Sequence, residues 1–479
     1  MTAGAKQWVR ERVHAWVMQR RAPRRIPWSH WGYAAHDDGM ALHGVSLESL
    51  AREFGSPLHV LDVLRLLANF DAFLAGGRTL APTVCCSVKT YPVPGMLALL
   101  VARGAQAEVI SEHEVWMARQ LGLTAPQLIY NGPAKSDTSL EWAVAHGIKA
   151  IHLNHREELQ RVAAIARRLD RRVRVGFRVT GSGVAGQFGV PMADPATIDV
   201  IREAMHEPNV ELVSLHCHRG TYMRTAAELS SHVEPMLAFA RQLRDVLGWE
   251  CAMLDVGGAL AVPSVAPLAG RSGRLARTFG VPADAPDLAA TLTPATYSAL
   301  VCDRVAEFCA QHAMAVPEVV MEPGRALSAD AQALVSTVLE LRTDHPFSYA
   351  VTDVGTAVAP GACHEYHQMG VAHRATTGDD RRLVYRIVGP ICHLGDVASL
   401  AWELPVLARG DRLVMMDTGA YFISDASSFS FAQPGVVAVF GDGTTRLLRR
   451  TETSDDMVRR DLWTHGVLAP APATSTETA

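Results

Sequence analysis

The sequence predicts a (β/α)8 TIM barrel followed by a mostly antiparallel β domain. Three observations predict it: eight short β-branched or apolar runs recur between residues 85 and 325, most lead into a helical pattern, and after residue 328 the texture changes to alternating segments separated by turns. The runs are Cys85 to Lys89, Gln106 to Ser111, Leu128 to Gly132, Ala150 to Asn154, Val173 to Val179, Val213 to Arg219, Met253 to Gly258 and Val319 to Arg325. Helical patterns follow at Pro94 to Arg103, Glu112 to Leu121, Arg156 to Leu169 and Thr296 to His312. In such a barrel, functional side chains sit where strands end. Lys89, the stretch His216-Cys217-His218-Arg219-Gly220 and Glu322 all fall at such ends.

The β domain is expected from Ala333 to Leu341, Arg382 to Val388, Arg412 to Met416 and Gly435 to Phe440. Leu58 to Asp62 reads as a strand that precedes the first barrel helix and joins the β domain. The division is therefore residues 1–28, a basic extension; 29–62, N-terminal strands; 63–328, the barrel; 329–465, the β domain; and 466–479, a disordered tail rich in Pro, Ala, Thr and Ser. The extension sets Arg10, Arg12, Arg20, Arg21, Arg24 and Arg25 around Trp8, Val13 and Val17 and reads as a solvated segment. Ala259 to Leu292, rich in Pro, Gly and Arg, reads as an extended loop at the barrel mouth.

With 479 residues, 48% of them hydrophobic, the chain has ample core for two domains, and a net charge of −4 offers no basic field for nucleic acid. No stretch resembles a membrane span or a cleavable signal, so a cytoplasmic protein is expected. The eight cysteines show neither zinc-ligand spacing nor a disulfide ladder, which predicts reduced thiols and no metal.

Two motifs carry chemistry. Val320-Met321-Glu322-Pro323-Gly324-Arg325 puts a carboxylate, a close-approach glycine and a guanidinium at the end of an apolar run. Glu322 suits a protonated ring nitrogen, Arg325 a phosphate. Far upstream, Lys89 ends the apolar run Thr83 to Val88. Lysine is costly to bury unless paired or used, and in a pocket its ammonium is expected to lose protons more easily.

Together these motifs resemble the fold-type III pyridoxal-phosphate decarboxylases, the family of diaminopimelate, ornithine and biosynthetic arginine decarboxylases. The resemblance runs from Phe54-Gly55-Ser56-Pro57-Leu58-His59-Val60 to Gly419-Ala420-Tyr421. It looks closest to the diaminopimelate branch, through His216-Cys217-His218-Arg219-Gly220-Thr221 and Val388-Gly389-Pro390-Ile391-Cys392. It implies the alanine racemase-like form of the barrel, with pyridoxal 5'-phosphate as cofactor. Lys89 would carry the cofactor's aldehyde carbon, and His218 would stack on its ring. Thr221, main-chain groups of Gly257, Gly258 and Gly324, Arg325 and Tyr421 would hold the phosphate. Glu108, Glu114 and Arg178 match charged family positions around the ring, although Glu114 also reads as a helix-start carboxylate and Arg178 as half of a structural ion pair. Where the family has a third glycine, this chain has Ala259.

A carboxylate at 322 favours decarboxylation, whereas fold-type III racemases place arginine there. By resemblance, Cys392 would reach the partner subunit's active site and protonate the α carbon, which makes a homodimer the smallest working unit. The substrate pocket departs from the diaminopimelate pattern. His393 replaces an acid after the cysteine, Ala359 an arginine, Cys363 a tyrosine and Gln187 a basic residue. His364 stands at or near another acid of the ornithine branch. Two histidines repel a cation when either is protonated and suit a carboxylate, hydroxyl or carbonyl, so the expected substrate is an amino acid whose distal group is not a simple amine. Asp396 is the one retained acid expected to contact an amine. Alternative readings are a racemase or epimerase, a silent regulatory homologue, which should lack Lys89 or Cys392, and a decarboxylase of a carrier-tethered substrate.

Overall fold

The computed structural model describes Trp8, Val9, Arg12, Val13, Trp16 and residues 22–77, 80–181, 187–220, 222–343, 348–376 and 381–461. Thr221, Arg10, Val17, Arg20, Arg21 and the segment 466–479 lie outside the described residues.

Three short antiparallel strands, β1 (Tyr33–His36), β2 (Gly39–Leu42) and β3 (Val45–Ser46), form a sheet of their own. β4 (Leu58–Asp62) leaves it and enters the β domain. The chain then builds the barrel from β5 (Thr83–Ser87), β6 (Gln106–Val109), β7 (Leu128–Tyr130), β8 (Ala150–Leu153), β9 (Val173–Thr180), β11 (Val210–His216), β12 (Met253–Asp255) and β13 (Glu318–Met321), with the two-residue β10 (Val190–Pro191) on the edge of β9. Neighbours pair in parallel, and β13–β5 together with β8–β9 close the ring. Cys85, Ile129, Ala150, Val213, Met253 and Val320 pack against one another as an apolar cluster contributed by six of these strands.

Seven of the eight sequence-predicted strands overrun the observed ones at their C-terminal ends, by as many as four residues in the case of β13. The physical reason is the same each time. Residues such as Lys89, Gly258 and Arg325 are set among apolar neighbours but have left the ladder to face the barrel mouth. Lys89 lies in a 3-10 turn, Val88–Thr90, and Arg325 begins the helix Arg325–Ser328.

The second large sheet runs β18 (Val397–Pro405), β17 (Arg382–Val388), β15 (Ser348–Thr352), β14 (Gln332–Arg342), β4, β20 (Gly435–Val439) and β21 (Thr445–Arg449), while β19 (Arg412–Met415) pairs both β14 and β16 (Met369–His373). Pairing is antiparallel except at β15–β17 and β4–β20. The stretch from Ala259 to Leu292 differs from the expected loop, since it holds the helix Gly270–Phe279 and the 3-10 turn Leu288–Ala290. Ala276 of that helix is buried with Leu400 and Ala401 of β18, so local glycine content is overridden by an apolar contact that the sequence does not display. No helix among the described residues is long and apolar enough to cross a membrane.

Candidate active site

Three lysines are drawn into the barrel, and their partners separate their roles. Lys149 is held where the strands begin, donating to Glu318 at 2.5 Å and Gln106 at 3.2 Å. Lys135 is fully buried and saturated, donating to the Gly132 and His152 carbonyls at 2.9 and 2.8 Å and to Glu158 at 2.6 Å. All three of its donors are spoken for, which makes it structural. Lys89 keeps 35% of its side chain exposed and donates to Ser87 Oγ at 2.8 Å and Glu108 Oε2 at 2.6 Å. Glu322 and Tyr421, both close enough to act on its charge, line a neighbouring pocket together with Thr90, His218, Gly258 and Arg325, among others.

The Lys89 ammonium does not lose its proton more easily, contrary to the expectation from sequence. Burial pulls its pKa down, but Glu108 and Glu322 outweigh that and raise it above the usual lysine value. Glu108 is buried at the end of β6 and accepts from Ser87 at 2.6 Å as well as from Lys89. Arg178, on β9, lies 4.4 Å over the Phe188 ring, with Glu322, Glu108 and Asp255 as the nearby carboxyls. No ion pair of Arg178 occurs among the described residues; it acts as the second cation of the barrel mouth. Glu114 is the helix-start carboxylate, because its Oε2 accepts from the Ile110 amide at 2.8 Å and its own amide donates to the N-cap Ser111. Burial raises its carboxyl to about 7.

The glycine loop after β12 departs from the expected phosphate cradle. The Gly257 amide donates to Asp255 Oδ1 at 2.9 Å and the Gly258 amide to His218 Nδ1 at 3.2 Å, so both N–H groups are committed within the loop. This orients the His218 ring, whose pKa burial lowers to about 4; the imidazole that faces the pocket is neutral at physiological pH. Ala259 takes φ 77°, a conformation glycine adopts without steric cost, in keeping with a glycine at this place in relatives.

Arg325 is likewise pre-engaged. Its two terminal nitrogens donate to Glu365 at 3.1 and 3.3 Å, and its guanidinium lies 5.0 and 5.4 Å over the rings of Tyr222 and Tyr421. Nε lacks a partner among the described residues, and its N–H, with the second N–H of each terminal nitrogen, remains available to a phosphate. Glu365 also accepts from Tyr222 and contacts His367 at 3.2 Å. Burial pushes the Glu365 carboxyl up, but His367, Arg325 and Tyr222 together hold it at about 2, below its ordinary 4.5. Because the folded-state value is depressed, its stabilisation is complete above about 4.5 and is lost as pH falls through about 2. Glu365→Gln is therefore expected to lower the melting temperature near neutral pH, with the deficit shrinking as pH drops through that window.

Cys392 and His393 are exposed on the loop between β17 and β18, and the described hydrogen bonds and ion pairs leave them outside the barrel cluster. His364 is also exposed, Cys363 is half-buried, and Ala359 is fully buried. Asp396, the acid expected to contact an amine, is engaged by the backbone. It is 3% exposed, accepts from Thr356 N at 2.7 Å and Ile391 N at 2.9 Å, and so staples the Cys392 loop to β15's following turn.

Sequence reasoning missed Thr90, Asn131, His152, Ser214, Asp255 and Glu365. Thr90, beside Lys89, is buried with its hydroxyl unpaired, and a Cβ at Gly324 would stand 2.1 Å from it. The readable signal was a polar residue, such as His152 in Ala-Ile-His-Leu, inside an otherwise apolar strand.

A pocket with an amine beside a buried carboxylate at its mouth, a second carboxylate deeper down, a glycine that alone fits against Thr90, and unpaired donors on Thr90 and Arg325 fits pyridoxal phosphate. A family model described as pyridoxal-dependent decarboxylase, pyridoxal binding domain, matches residues 65–329. The chain is 26% identical over 456 residues to a diaminopimelate decarboxylase of Aquifex aeolicus, covering 90% of this chain and 97% of that one. It is 28% identical over 439 residues to a diaminopimelate decarboxylase of Actinosynnema pretiosum, covering 88% and 92%. A solved structure from Aquifex aeolicus superimposes with a TM-score of 0.77 at 25% identity, over 90% of this chain and 98% of that one. Diaminopimelate decarboxylase from M. jannaschi shares the fold, with a TM-score of 0.79 at 21% identity over 90% and 97%. The chain belongs to the fold-type III pyridoxal-phosphate-dependent decarboxylases and is an amino-acid carboxy-lyase close to their diaminopimelate branch.

Proposed function

We propose that the enzyme decarboxylates an amino acid resembling diaminopimelate at its reacting end, whose distal group is neutral or anionic rather than a simple cationic amine. The observation that carries this reading is the fate of Asp396. Its carboxylate is spent on Thr356 and Ile391, which leaves His393 and Cys392 as the polar side chains exposed on that loop. Without an acid, the loop offers a distal ammonium no charge partner.

On this reading the barrel, residues 63–328, holds the cofactor, and the β domain, 329–465, presents the Cys392 loop to the partner subunit of a cytoplasmic homodimer. When bound, pyridoxal phosphate withdraws electrons from the α carbon as carbon dioxide leaves. Lys89, steadied by Ser87 and Glu108, is the amine for the cofactor's aldehyde. Neutral His218 covers the ring, and Glu322 keeps the ring nitrogen protonated. Thr90, Arg325 and Tyr421 gather at the phosphate end, and Thr221 is assigned there by family position alone. The Cys392 thiol delivers the proton to the α carbon.

Diaminopimelate itself is the second reading, favoured by the names of the relatives. A panel of amino acids, followed by carbon dioxide release and amine product, separates the two. Turnover of lysine, ornithine or arginine at a kcat/KM of about 10⁴ M⁻¹s⁻¹ or more would defeat the proposal. His393→Glu is expected to lower KM for diamine-type substrates by about tenfold, the worth of one exposed-to-half-buried charge pair. Chiral inversion without gas release would instead mark a racemase. Turnover only of a substrate bound to a carrier protein would mark the tethered variant.

A further inference from the structure

At the pocket, Glu322 sits in a layer of polar side chains contributed by five other barrel strands or the residues that follow them, none of them exposed: Glu108, Asn131, His152, Ser214, His216 and Asp255. Their hydrogen bonds have one consistent orientation. Asn131 Nδ2 lies 2.6 Å from Glu322 Oε1 and 3.2 Å from Glu108 Oε1, and two carboxylates demand the amide's NH2 end. Asn131 Oδ1 must then accept, and its neighbour at 2.7 Å is His152 Nδ1. His152 therefore carries its proton on Nδ1, and its Nε2, at 3.0 Å, accepts from the Ser214 hydroxyl. That leaves His152 a neutral ring with both nitrogens used.

His216 stacks on this fixed ring, with centroids 4.8 Å apart and planes at 5°. Its Nε2 stands 3.4 Å from the other Glu322 oxygen without forming a hydrogen bond to it, and neither of its nitrogens has a hydrogen-bond partner among the described residues. Asp255 closes the layer, with Oδ1 on the Gly257 amide and Oδ2 unpartnered 3.8 Å from His152.

We propose that Asn131, through its hydrogen bond, and His216, through its ring edge, are positioning residues that aim the Glu322 carboxylate at the bound cofactor's ring nitrogen, with His152 and Ser214 fixing Asn131 and Asp255 beside them. The inference rests on the reading of Glu322 as the ring's partner. The physics is that of a carboxylate only 5% exposed, one oxygen of which is held by Asn131 while the other is faced by the His216 ring. Without contacts that fix it, such a group turns away from the atom it must meet. Burial and the nearby Glu322 raise the Asp255 carboxyl well above its ordinary value, and burial lowers His152 and His216 well below theirs, so neither ring adds a positive charge to the layer. Other titratable groups facing it are Lys89, Lys135, Arg178, His218, Cys85, Cys217 and Tyr297.

The test uses the enzyme reconstituted with pyridoxal phosphate and follows the absorption band of the bound cofactor against pH, alongside kcat, KM and the melting temperature of the cofactor-free protein. Asn131→Ala removes the donor, and His216→Phe keeps the stack but removes the ring nitrogens. Both are expected to move the midpoint of the absorption profile by about one pH unit or more and to lower kcat by about tenfold or more, with KM within about threefold. A profile that coincides with wild type in either folded variant overturns the proposal, whatever its melting temperature. If Asn131→Ala does not fold, His216→Phe decides alone. Stoichiometric divalent metal in the purified enzyme that is lost in His216→Phe also overturns it, since His152, His216, Asp255 and Glu322 bring ligating atoms within 4.8 Å of one another. Glu322→Gln separates the two levels. If its profile matches wild type, the role of Glu322 fails; if it alone shifts, only the positioning assignment fails.

Discussion

Replacing Lys89 with alanine is expected to remove at least about a thousandfold of the decarboxylase activity and to leave a protein that releases its cofactor on gel filtration. The reason is positional. Lys89 stands beside the pocket residues Glu322 and Tyr421, while Lys135 is sealed against Glu158 and two carbonyls and Lys149 is held by Glu318 and Gln106 where the strands begin. Borohydride treatment followed by peptide mapping should label the peptide containing Lys89 in wild type and none in the variant. A label on the Lys135 peptide, or ordinary activity in Lys89→Ala, would reverse the assignment.

The second large effect is expected at Cys392. Cys392→Ala should lower kcat by about 10²- to 10⁴-fold, the span for loss of a positioned proton donor, with cofactor absorbance unchanged. The residue sits on a projecting loop whose neighbour Leu394 is wholly exposed, a costly place for a leucine in a lone chain. Asp396 holds that loop from below through Ile391. If the thiol serves the partner's site, mixing Lys89→Ala with Cys392→Ala protein should restore about a quarter of wild-type activity by forming dimers with one intact site. No recovery on mixing, together with the expected loss in each variant alone, would place both residues in the same chain's site.

Much of the architecture was legible because barrel strands are short, apolar and regularly spaced, and β4 and β17 match their predicted limits, Leu58–Asp62 and Arg382–Val388. The chemistry was legible where one residue contradicts its surroundings, as Lys89 and Glu322 do. Residues acting only in combination were hidden. Asn131, His152 and Ser214 come from three strands, and each alone is an ordinary polar side chain; only the closed ring of strands brings them to one layer. The glycines at 257 and 258 were found by motif, but the contacts their amides make without the cofactor were not legible. Sequence shows that a backbone can approach a phosphate, not that Asp255 and His218 have already claimed its N–H groups. Glu365 was passed over because its partner Arg325 lies in the other domain, forty residues away.

The pairing of Lys89 with Glu108 also governs how the apoenzyme becomes an enzyme. An amine attacks an aldehyde only through its free lone pair, and here two acids stabilise the ammonium beyond what an exposed lysine would feel. Reconstitution should thus be sluggish at neutral pH and quicken in alkaline solution, so freshly made chains would spend time as cofactor-free protein before they mature.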